Sequence, residues 1–339
     1  MNAKERVVRA VRHQETGCAP YHVQFVPDER DKMARFFGDP AFEERIGNHL
    51  SYFDFRPPKR EVRPGYFQDE FGVVWNRTRD RELGVVDQYL VDAGNVDSFP
   101  FPDPADPARY LDLQARVDRD ADRYVVAKYA HGLFERAWML YGMEDLMSDM
   151  ILDPRPVSRL FDRLTEYFLD LLDRIAPYDG IDCVHYGDDW GQQHGLIMGP
   201  VLWRSFLKPR LKEIFDKAKK MGKTVYIHTC GDIQEILPDL IEIGVDIYDP
   251  FQPEVFDIYA LKREYGKDLT FFGGISLQRT LPFGTPQEVA EETAYKARIL
   301  SAGGGYVAAP SHAVTRDVPA ENVEAMLAVL RKQLEGSVA

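Results

Sequence analysis

The sequence is poor in three features that define large classes of proteins: cysteine, surplus positive charge and long apolar runs. It has 3 cysteines in 339 residues, at positions 18, 183 and 230, without the spacing of a disulfide framework. This predicts free thiols in a reducing, cytoplasmic compartment. The formal net charge of −13 argues against nucleic-acid binding, because phosphate contacts require clustered positive charge.

Apolar runs of roughly 18 residues are also missing, so we expect no membrane span. The first residues, "MNAKERVVRAVRHQETG", are charged and lack the apolar region of a secretion signal. Nucleotide fingerprints are missing as well, since neither GxGxxG nor GxxxxGK[ST] follows any predicted strand. The glycine-rich "SAGGGY" comes before a strand rather than after one, the reverse of the order that a phosphate site requires.

What the sequence does contain is a regular alternation of strand and helix signals that begins near Tyr124. An earlier strand is expected in "APYHVQFV" (19–26), and a hairpin in "GYFQDEFGVVWNRT" (65–78). About seven strand–helix units of similar size favour an α/β fold, a (β/α)8 TIM barrel, over an open doubly wound sheet. We therefore predict one domain over residues 1–339, with residues 28–110 as an N-terminal elaboration that forms a lid over the mouth.

Polar side chains gather at the ends of the predicted strands. Active sites of TIM barrels lie at the carboxyl ends of the strands, so these positions are the first candidates for function. Five strands contribute: Asp188 and Asp189; His228, Cys230 and Asp232; Asp249 and Gln252; Ser276 and Gln278; Ser311 and His312.

The stretch "TVYIHTCGDI" places His228 and Cys230 two positions apart, and residues two apart on a strand point to the same side. Imidazole and thiolate are both zinc ligands, and His312 follows another strand and can supply a third. Three protein ligands leave one position open, as in catalytic zinc sites. The alternative is ordinary packing, because free cysteine is among the most buried residue types.

The adjacent carboxylates Asp188 and Asp189 are candidate catalytic residues. Their like charges oppose each other, which favours a raised pKa in one of them. Capping of the following turn is the alternative role. Four further residues on or directly after the strands are candidate substrate-binding residues: Gln252, Gln278, Tyr186 and His185.

Several long segments together resemble the uroporphyrinogen decarboxylase superfamily, in order and in spacing. They are "GDDWGQQHGLIMGPVLWRSFLKPRLKEI", "IHTCGDIQEILPDLIEIGVDIYDPFQP", "LTFFGGISLQRTLPFGTPQEV" and "GGGYVAAPSHAVTRDVPAENVEAM". The opening "ERVVRAVRHQETGCAPYHV" is similar to the first helix and strand of the family, so the likeness covers nearly the whole chain. It implies a (β/α)8 barrel.

Two functional branches share that fold. True decarboxylases act on a porphyrinogen without a metal and carry an arginine-rich segment after the first strand, where this chain has "YHVQFVPDERDKM". The methyltransferase branch depends on zinc and a corrinoid and carries His-x-Cys and a later Cys. His228 and Cys230 match the first two positions, whereas His312 or Ser311 stands in place of the later Cys.

The resemblance therefore implies a zinc-dependent methyltransferase that moves a methyl group between a small donor or thiol acceptor and a corrinoid. The chain lacks the cobalamin-binding DxHxxG pattern, so the corrinoid is expected on a partner protein. The alternatives are a decarboxylase of the uroporphyrinogen type, which is a carboxy-lyase, and a metal- or corrinoid-handling protein without turnover.

Overall fold

The computed structural model describes residues 1–79 and 84–336. Its strands, in chain order, are β1 (Leu50–Asp54), β2 (Arg60–Arg63), β3 (Tyr66–Gln68), β4 (Val74–Asn76), β5 (Val85–Val86), β6 (Tyr124–Tyr129), β7 (Cys183–Gly187), β8 (Gly191–Gln192), β9 (Gly195–Leu196), β10 (Thr224–His228), β11 (Ile247–Phe251), β12 (Thr270–Ile275) and β13 (Tyr306–Pro310). Over the described ranges, the main sheet contains seven parallel strands in the order β1–β6–β7–β10–β11–β12–β13.

Helices follow most strands of this sheet and cover its outer face. They are α1 (Ala3–Val11), α2 (Pro27–Phe37), α3 (Phe42–Arg45), α4 (Leu113–Arg119), α5 (Leu133–Tyr141), α6 (Met143–Leu152), α7 (Pro154–Ile175), α8 (Gly199–Leu202), α9 (Lys208–Lys220), α10 (Leu237–Glu242), α11 (Ile258–Tyr265), α12 (Thr280–Phe283), α13 (Pro286–Leu300) and α14 (Ala320–Glu335). None of the helices in the described ranges is long and apolar enough to cross a membrane.

An extended segment around Tyr21 occupies the eighth position of the barrel. His22 donates its backbone N–H to Ala308 of β13 at 3.1 Å. On the other side, His49 donates to the carbonyl of Tyr21 at 3.0 Å, just before β1 begins. The predicted first strand therefore lies between the last and first strands of the sheet. It closes the ring, and the TIM-barrel prediction is confirmed.

The barrel interior is packed with side chains from alternate strand positions, as the two-residue period of a strand requires. At its amino end, Val7 of α1 packs against strand residues that include Leu50 and Tyr124, so α1 covers that end. Higher in the barrel, the rings of Tyr226 and Phe272 lie 5.4 Å apart. This packing leaves the opposite, carboxyl end of the strands as the open mouth.

The prediction for residues 28–110 was wrong in one respect, because β1 lies inside that range and is a barrel strand paired with β6. Helix α2 also lies mostly in this range, between the segment around Tyr21 and β1, and packs against α14. The antiparallel sheet β2–β3–β4–β5 is separate from the main sheet, and in it β3 and β4 form the expected hairpin. Residues 80–83 of this range lie outside the described residues, as do residues 337–339 of the predicted domain. The local signal for β1 is weak because the five residues of Leu50–Asp54 show no regular alternation of apolar and polar side chains.

The segment after β6 begins with two helices, α5 and α6, which meet at Gly142. Gly142 has φ 94°, a conformation that glycine adopts without strain.

Candidate active site at the barrel mouth

The structure brings together the three side chains predicted to bind a metal. His228 is the last residue of β10, and its Nε2 lies 3.5 Å from the Sγ of Cys230. The ring of His312, from the turn after β13, lies 5.7 Å from the ring of His228. One potential ligand atom from each of the three residues lies within 4.8 Å of the other two.

These donor atoms fit a zinc ion. Ligands at 2.0–2.3 Å from a tetrahedral zinc are about 3.5 Å from one another, which is the distance between Nε2 of His228 and Sγ of Cys230. The set of two imidazoles and one thiol is chemically typical of zinc. His228 and Cys230 are half-buried while His312 is exposed, so one side of the cluster is open to the mouth. That open side is where a fourth ligand such as a substrate atom would approach.

Asp249, on the adjacent strand β11, holds the ring of His228 in place. Its Oδ2 lies 2.6 Å from Nδ1 of His228, which leaves Nε2 facing Cys230. A carboxylate on the far nitrogen fixes the tautomer of a metal-binding histidine and raises its basicity. A second group of possible ligands, His185, His228 and Asp249, shares this histidine. Because its Nδ1 is already paired with Asp249, we assign Asp249 to orienting the ligand.

The same contacts shift the pKa values of both residues of the His-x-Cys motif. Burial lowers the pKa of His228, but the charges of Asp249 and Cys230 outweigh it, and the pKa ends well above its usual value. Burial raises the pKa of Cys230, and the charge of His228 opposes that shift. In the metal-free protein both side chains therefore hold protons that a metal ion has to displace.

The two adjacent acids point in different directions. Asp189 faces the cluster: its Oδ1 accepts from the backbone N–H of Cys230 at 2.8 Å and lies 3.9 Å from Nε2 of His228. Asp188 is fully buried and accepts from the N–H groups of Phe134 and Glu135 at the start of α5, at 3.0 and 2.7 Å. Asp188 thus has a capping role, but it caps α5, a helix earlier in the chain, and not the following turn as the sequence suggested. Of the two acids, Asp189 is the one that faces the cluster.

The candidate substrate-binding residues occupy four different environments. Tyr186 points away from the barrel interior and packs against Phe168 of α7 and Phe215 of α9. His185 is buried inside the barrel, with its ring 6.2 Å from that of His228. It forms part of the floor below the metal cluster rather than its wall.

Gln252 and Gln278 also differ from each other. Gln252 is buried directly after β11, two residues beyond the Asp249–Pro250 pair. Gln278 is exposed in the turn after β12, and over the described residues it has no side-chain hydrogen bond. The geometry therefore keeps Gln252 as a candidate for contact with a bound molecule and gives Gln278 no such position.

Comparisons with known proteins agree with this architecture. The family model described as uroporphyrinogen decarboxylase (URO-D) matches residues 70–333. The chain belongs to this family. A curated protein of Methanosarcina mazei, described as a methylated-thiol–coenzyme M methyltransferase, is 22% identical to this chain over 192 residues. The match covers 57% of this chain and 49% of that protein, so the chain spans about half the length of the curated relative it matches.

Among solved structures, a methyltransferase from Methanosarcina mazei superposes on this URO-D family member with a TM-score of 0.72. The alignment covers 98% of this chain and 99% of that one, at 18% sequence identity. At that identity the likeness concerns the fold, which is the same barrel over almost the whole length.

Sequence reasoning missed three residues of the URO-D barrel that face the mouth. Lys128 lies beside Asp54 and His185 in the strand register. Glu135 lies in the first turn of α5. Arg56 comes directly after β1 and forms an ion pair with Asp54. The sequence signal for Lys128 is its charge, because it stands inside the otherwise apolar strand "YVVAKYA". Glu135 carried no such signal, because an acid in the first turn of a helix is common.

Proposed function

We propose that this protein is a zinc-dependent methyltransferase that moves a methyl group between a small thiol or methylated donor and the corrinoid of a partner protein. The observation that carries the proposal is the convergence of donor atoms from His228, Cys230 and His312 at the open end of the barrel. Membership of the URO-D family and the methyltransferase relative support it.

In this proposal His228, Cys230 and His312 hold the zinc, and the fourth position faces the mouth. A zinc ion bound there acts as a Lewis acid that lowers the pKa of a thiol ligand, so that its sulfur is a nucleophile near neutral pH. Asp249 keeps Nε2 of His228 directed at the metal position. Asp189 is placed to orient the substrate or to complete the metal shell.

The mouth also sets what can reach the site. A corrinoid is too large for a packed barrel, so it has to present its methyl group from a docked partner protein at the open end. The small thiol or methylated compound enters the same opening. His185 and the aromatic side chains of Tyr226 and Phe272 close the cavity from below, which restricts the substrate to a small molecule.

Metal analysis of the purified protein tests the first half of the proposal. We expect about one zinc per chain, as a three-ligand catalytic site requires. Cys230→Ser should lose the zinc and retain its circular dichroism spectrum, since the barrel core does not depend on the metal. Cys18→Ser is the matched control and should keep the zinc. A wild-type protein without bound zinc, or a Cys230→Ser protein that retains it, contradicts the site.

Methyl transfer tests the second half. With methylcobalamin as donor and 2-mercaptoethanol as acceptor, we expect formation of the methyl thioether by wild type and none by Cys230→Ser. A decarboxylase binds no zinc in this site and releases carbon dioxide from an acidic substrate instead. A metal-handling protein binds zinc but moves no methyl group. The three alternatives therefore give three different pairs of results.

A further inference from the structure

The start of α5 is fixed to the end of β7 by three hydrogen bonds. Leu133 donates its N–H to the hydroxyl of Tyr186 at 2.6 Å. Phe134 and Glu135 donate theirs to the carboxyl of Asp188. These are the orphan donors of a helix N-terminus, here satisfied from the neighbouring strand. Because all three are bonded, the position of Glu135 relative to the strand end is determined by the fold.

The side chain of Glu135 is mostly buried, with 18% of its surface exposed. Its carboxyl lies 3.6 Å from Nδ1 of His131, an ion pair when that histidine is protonated but a distance too long for a hydrogen bond. In the part of the chain that the structure describes, no donor forms a hydrogen bond with this carboxyl. Buried carboxyl groups are normally hydrogen-bonded, so one that accepts no hydrogen bond indicates a functional role.

A short series of contacts connects Glu135 with the metal cluster. Its backbone is bonded to Asp188, the next residue is Asp189, and Asp189 accepts from the N–H of Cys230 at 2.8 Å. Asp189 is also the carboxylate whose charge acts most strongly on Glu135. Glu135 therefore stands at the same end of the barrel as His228 and Cys230, and the charges of Asp189 and His228 both act on its carboxyl.

We propose that Glu135 is the group that accepts the proton of the thiol, an assignment that rests on the proposed methyltransferase function. The S–H bond of the thiol breaks, its electron pair stays on the sulfur, and the proton forms an O–H bond with the carboxylate of Glu135. The sulfur then forms a bond to the methyl group while the bond between that methyl group and the corrinoid's cobalt breaks, with its electron pair staying on the cobalt, and Glu135 returns its proton to water at the mouth. In the opposite direction Glu135 gives a proton to the departing thiolate.

The electrostatic surroundings suit this task. Burial raises the pKa of Glu135 to about 7, and the negative charge of Asp189 adds to the shift. The charges of His228, Arg136 and Arg56 oppose it. These groups come from β10, α5 and the segment after β1. General bases are most effective when their pKa lies near the working pH.

Glu135→Gln tests the assignment, because it keeps the shape of the side chain and removes the base. With 2-mercaptoethanol as acceptor we expect kcat to fall by about 10²–10⁴-fold, the usual contribution of general acid–base catalysis. Thiophenol, an aromatic thiol that is already ionised near neutral pH, should restore most of the rate. A merely structural role would lower the rate with both thiols alike. Glu135→Asp should retain part of the activity, and Glu144→Gln, an exposed acid on α6, is the matched control.

A second readout does not depend on activity or on bound metal. Infrared difference spectra of the metal-free protein should show a carboxyl that gains its proton near pH 7, and Glu135→Gln should remove that signal. The signal of Asp188, whose pKa burial raises to about 8, should remain. A wild type that transfers no methyl group to either thiol contradicts the methyltransferase function itself. An active wild type with an equally active Glu135→Gln variant, or an unchanged infrared titration, overturns only the role of Glu135.

Discussion

At the scale of single residues, the contact between His228 and Asp249 orients the histidine of the proposed metal site. The imidazole has two nitrogens, and only one can face Cys230 while the other accepts or donates elsewhere. Asp249 lies 2.6 Å from Nδ1 and pairs with it, so that Nε2 is the nitrogen that faces Cys230. Groups that orient a metal ligand in this way contribute to affinity although they do not touch the metal.

Asp249→Asn should therefore weaken zinc binding by about 10–100-fold, the usual effect of removing such a partner. Competition with a chelator of known affinity measures the change. Asp246→Asn is the matched control, since Asp246 precedes the same strand at the opposite end and bonds Lys219 and the N–H of Val225. It should leave zinc affinity unchanged. Equal zinc affinity in Asp249→Asn and wild type would show that Asp249 does not orient the ligand.

The protons on His228 and Cys230 lead to opposite pH dependences with and without metal. Zinc has to displace both protons, so its affinity should fall as the pH drops. In the metal-free protein the raised pKa of His228 stabilises the fold fully below about pH 6.5, the usual value of histidine, and this contribution is lost as the pH rises through the folded pKa. The raised pKa of Cys230 acts in the same direction at higher pH.

Urea unfolding of the metal-free protein as a function of pH checks the second trend. We expect the free energy of unfolding to decrease with rising pH more steeply for wild type than for His228→Gln, which lacks the titrating group. Parallel curves for the two proteins would mean that His228 has an ordinary pKa in the folded state.

At the scale of elements, the turn after β7 gives two neighbouring acids different roles. Asp188 joins the strand to α5 and also accepts from Nε1 of Trp190 at 2.8 Å. Asp189 points into the mouth, with a side chain that is 42% exposed. One residue thus stabilises the packing of a helix on the barrel, and the other is free to contact a ligand.

Asp188→Ala should cost about 3 kcal/mol or more in unfolding free energy, because it leaves three buried donors without an acceptor at roughly 1–3 kcal/mol each. Asp189→Asn should change stability by less than about 1 kcal/mol, as expected for a partly exposed site, but should lower methyl transfer. Chemical denaturation and the methyl-transfer assay separate the two effects. The assignment fails if Asp188→Ala is as stable as wild type.

At the scale of the whole molecule, two buried ion pairs tie the small antiparallel sheet of β2–β5 to the barrel. Glu70, between β3 and β4, pairs with Arg109, and their side chains are 8% and 2% exposed. Asp69 pairs with Arg136 of α5 at 2.6 Å, where both are similarly buried. Trp75 of β4 lies against His131, with ring centroids 6.2 Å apart. These contacts hold the small sheet beside the mouth, next to the helix that carries Glu135.

Glu70→Ala should lower the free energy of unfolding by about 3–5 kcal/mol, since it leaves the buried charge of Arg109 without a partner. Asp97→Ala is the matched control. It breaks the exposed pair of Asp97 with Arg159, and such pairs contribute about 0.2–1 kcal/mol. Urea unfolding measures both. Similar small losses in the two variants would show that the small sheet is held by apolar packing alone.

Much of the barrel was predictable because it depends on local patterns. Strand and helix periods are short-range properties of a sequence, and parallel strands place their carboxyl ends on one side. The alternation of side chains along a strand also put His228 and Cys230 on the same side. The position of β1 was not predictable in this way, because the short segment Leu50–Asp54 shows no regular alternation of apolar and polar side chains. Its place comes from pairing with β6, 74 residues further along the chain by the register Leu50↔Tyr124.

The sequence by itself thus determined the fold class, the family and the three residues of the proposed metal site. Only the tertiary structure decided which of Asp188 and Asp189 faces the cavity, and that Glu135 stands beside it. Two consecutive residues after a strand point in directions set by the turn, and the turn is set by the helix that docks on it. Which groups bond to a buried carboxyl depends on contacts between segments that are distant in sequence. Here those segments are α5 and the end of β7. No periodicity within either segment contains that information.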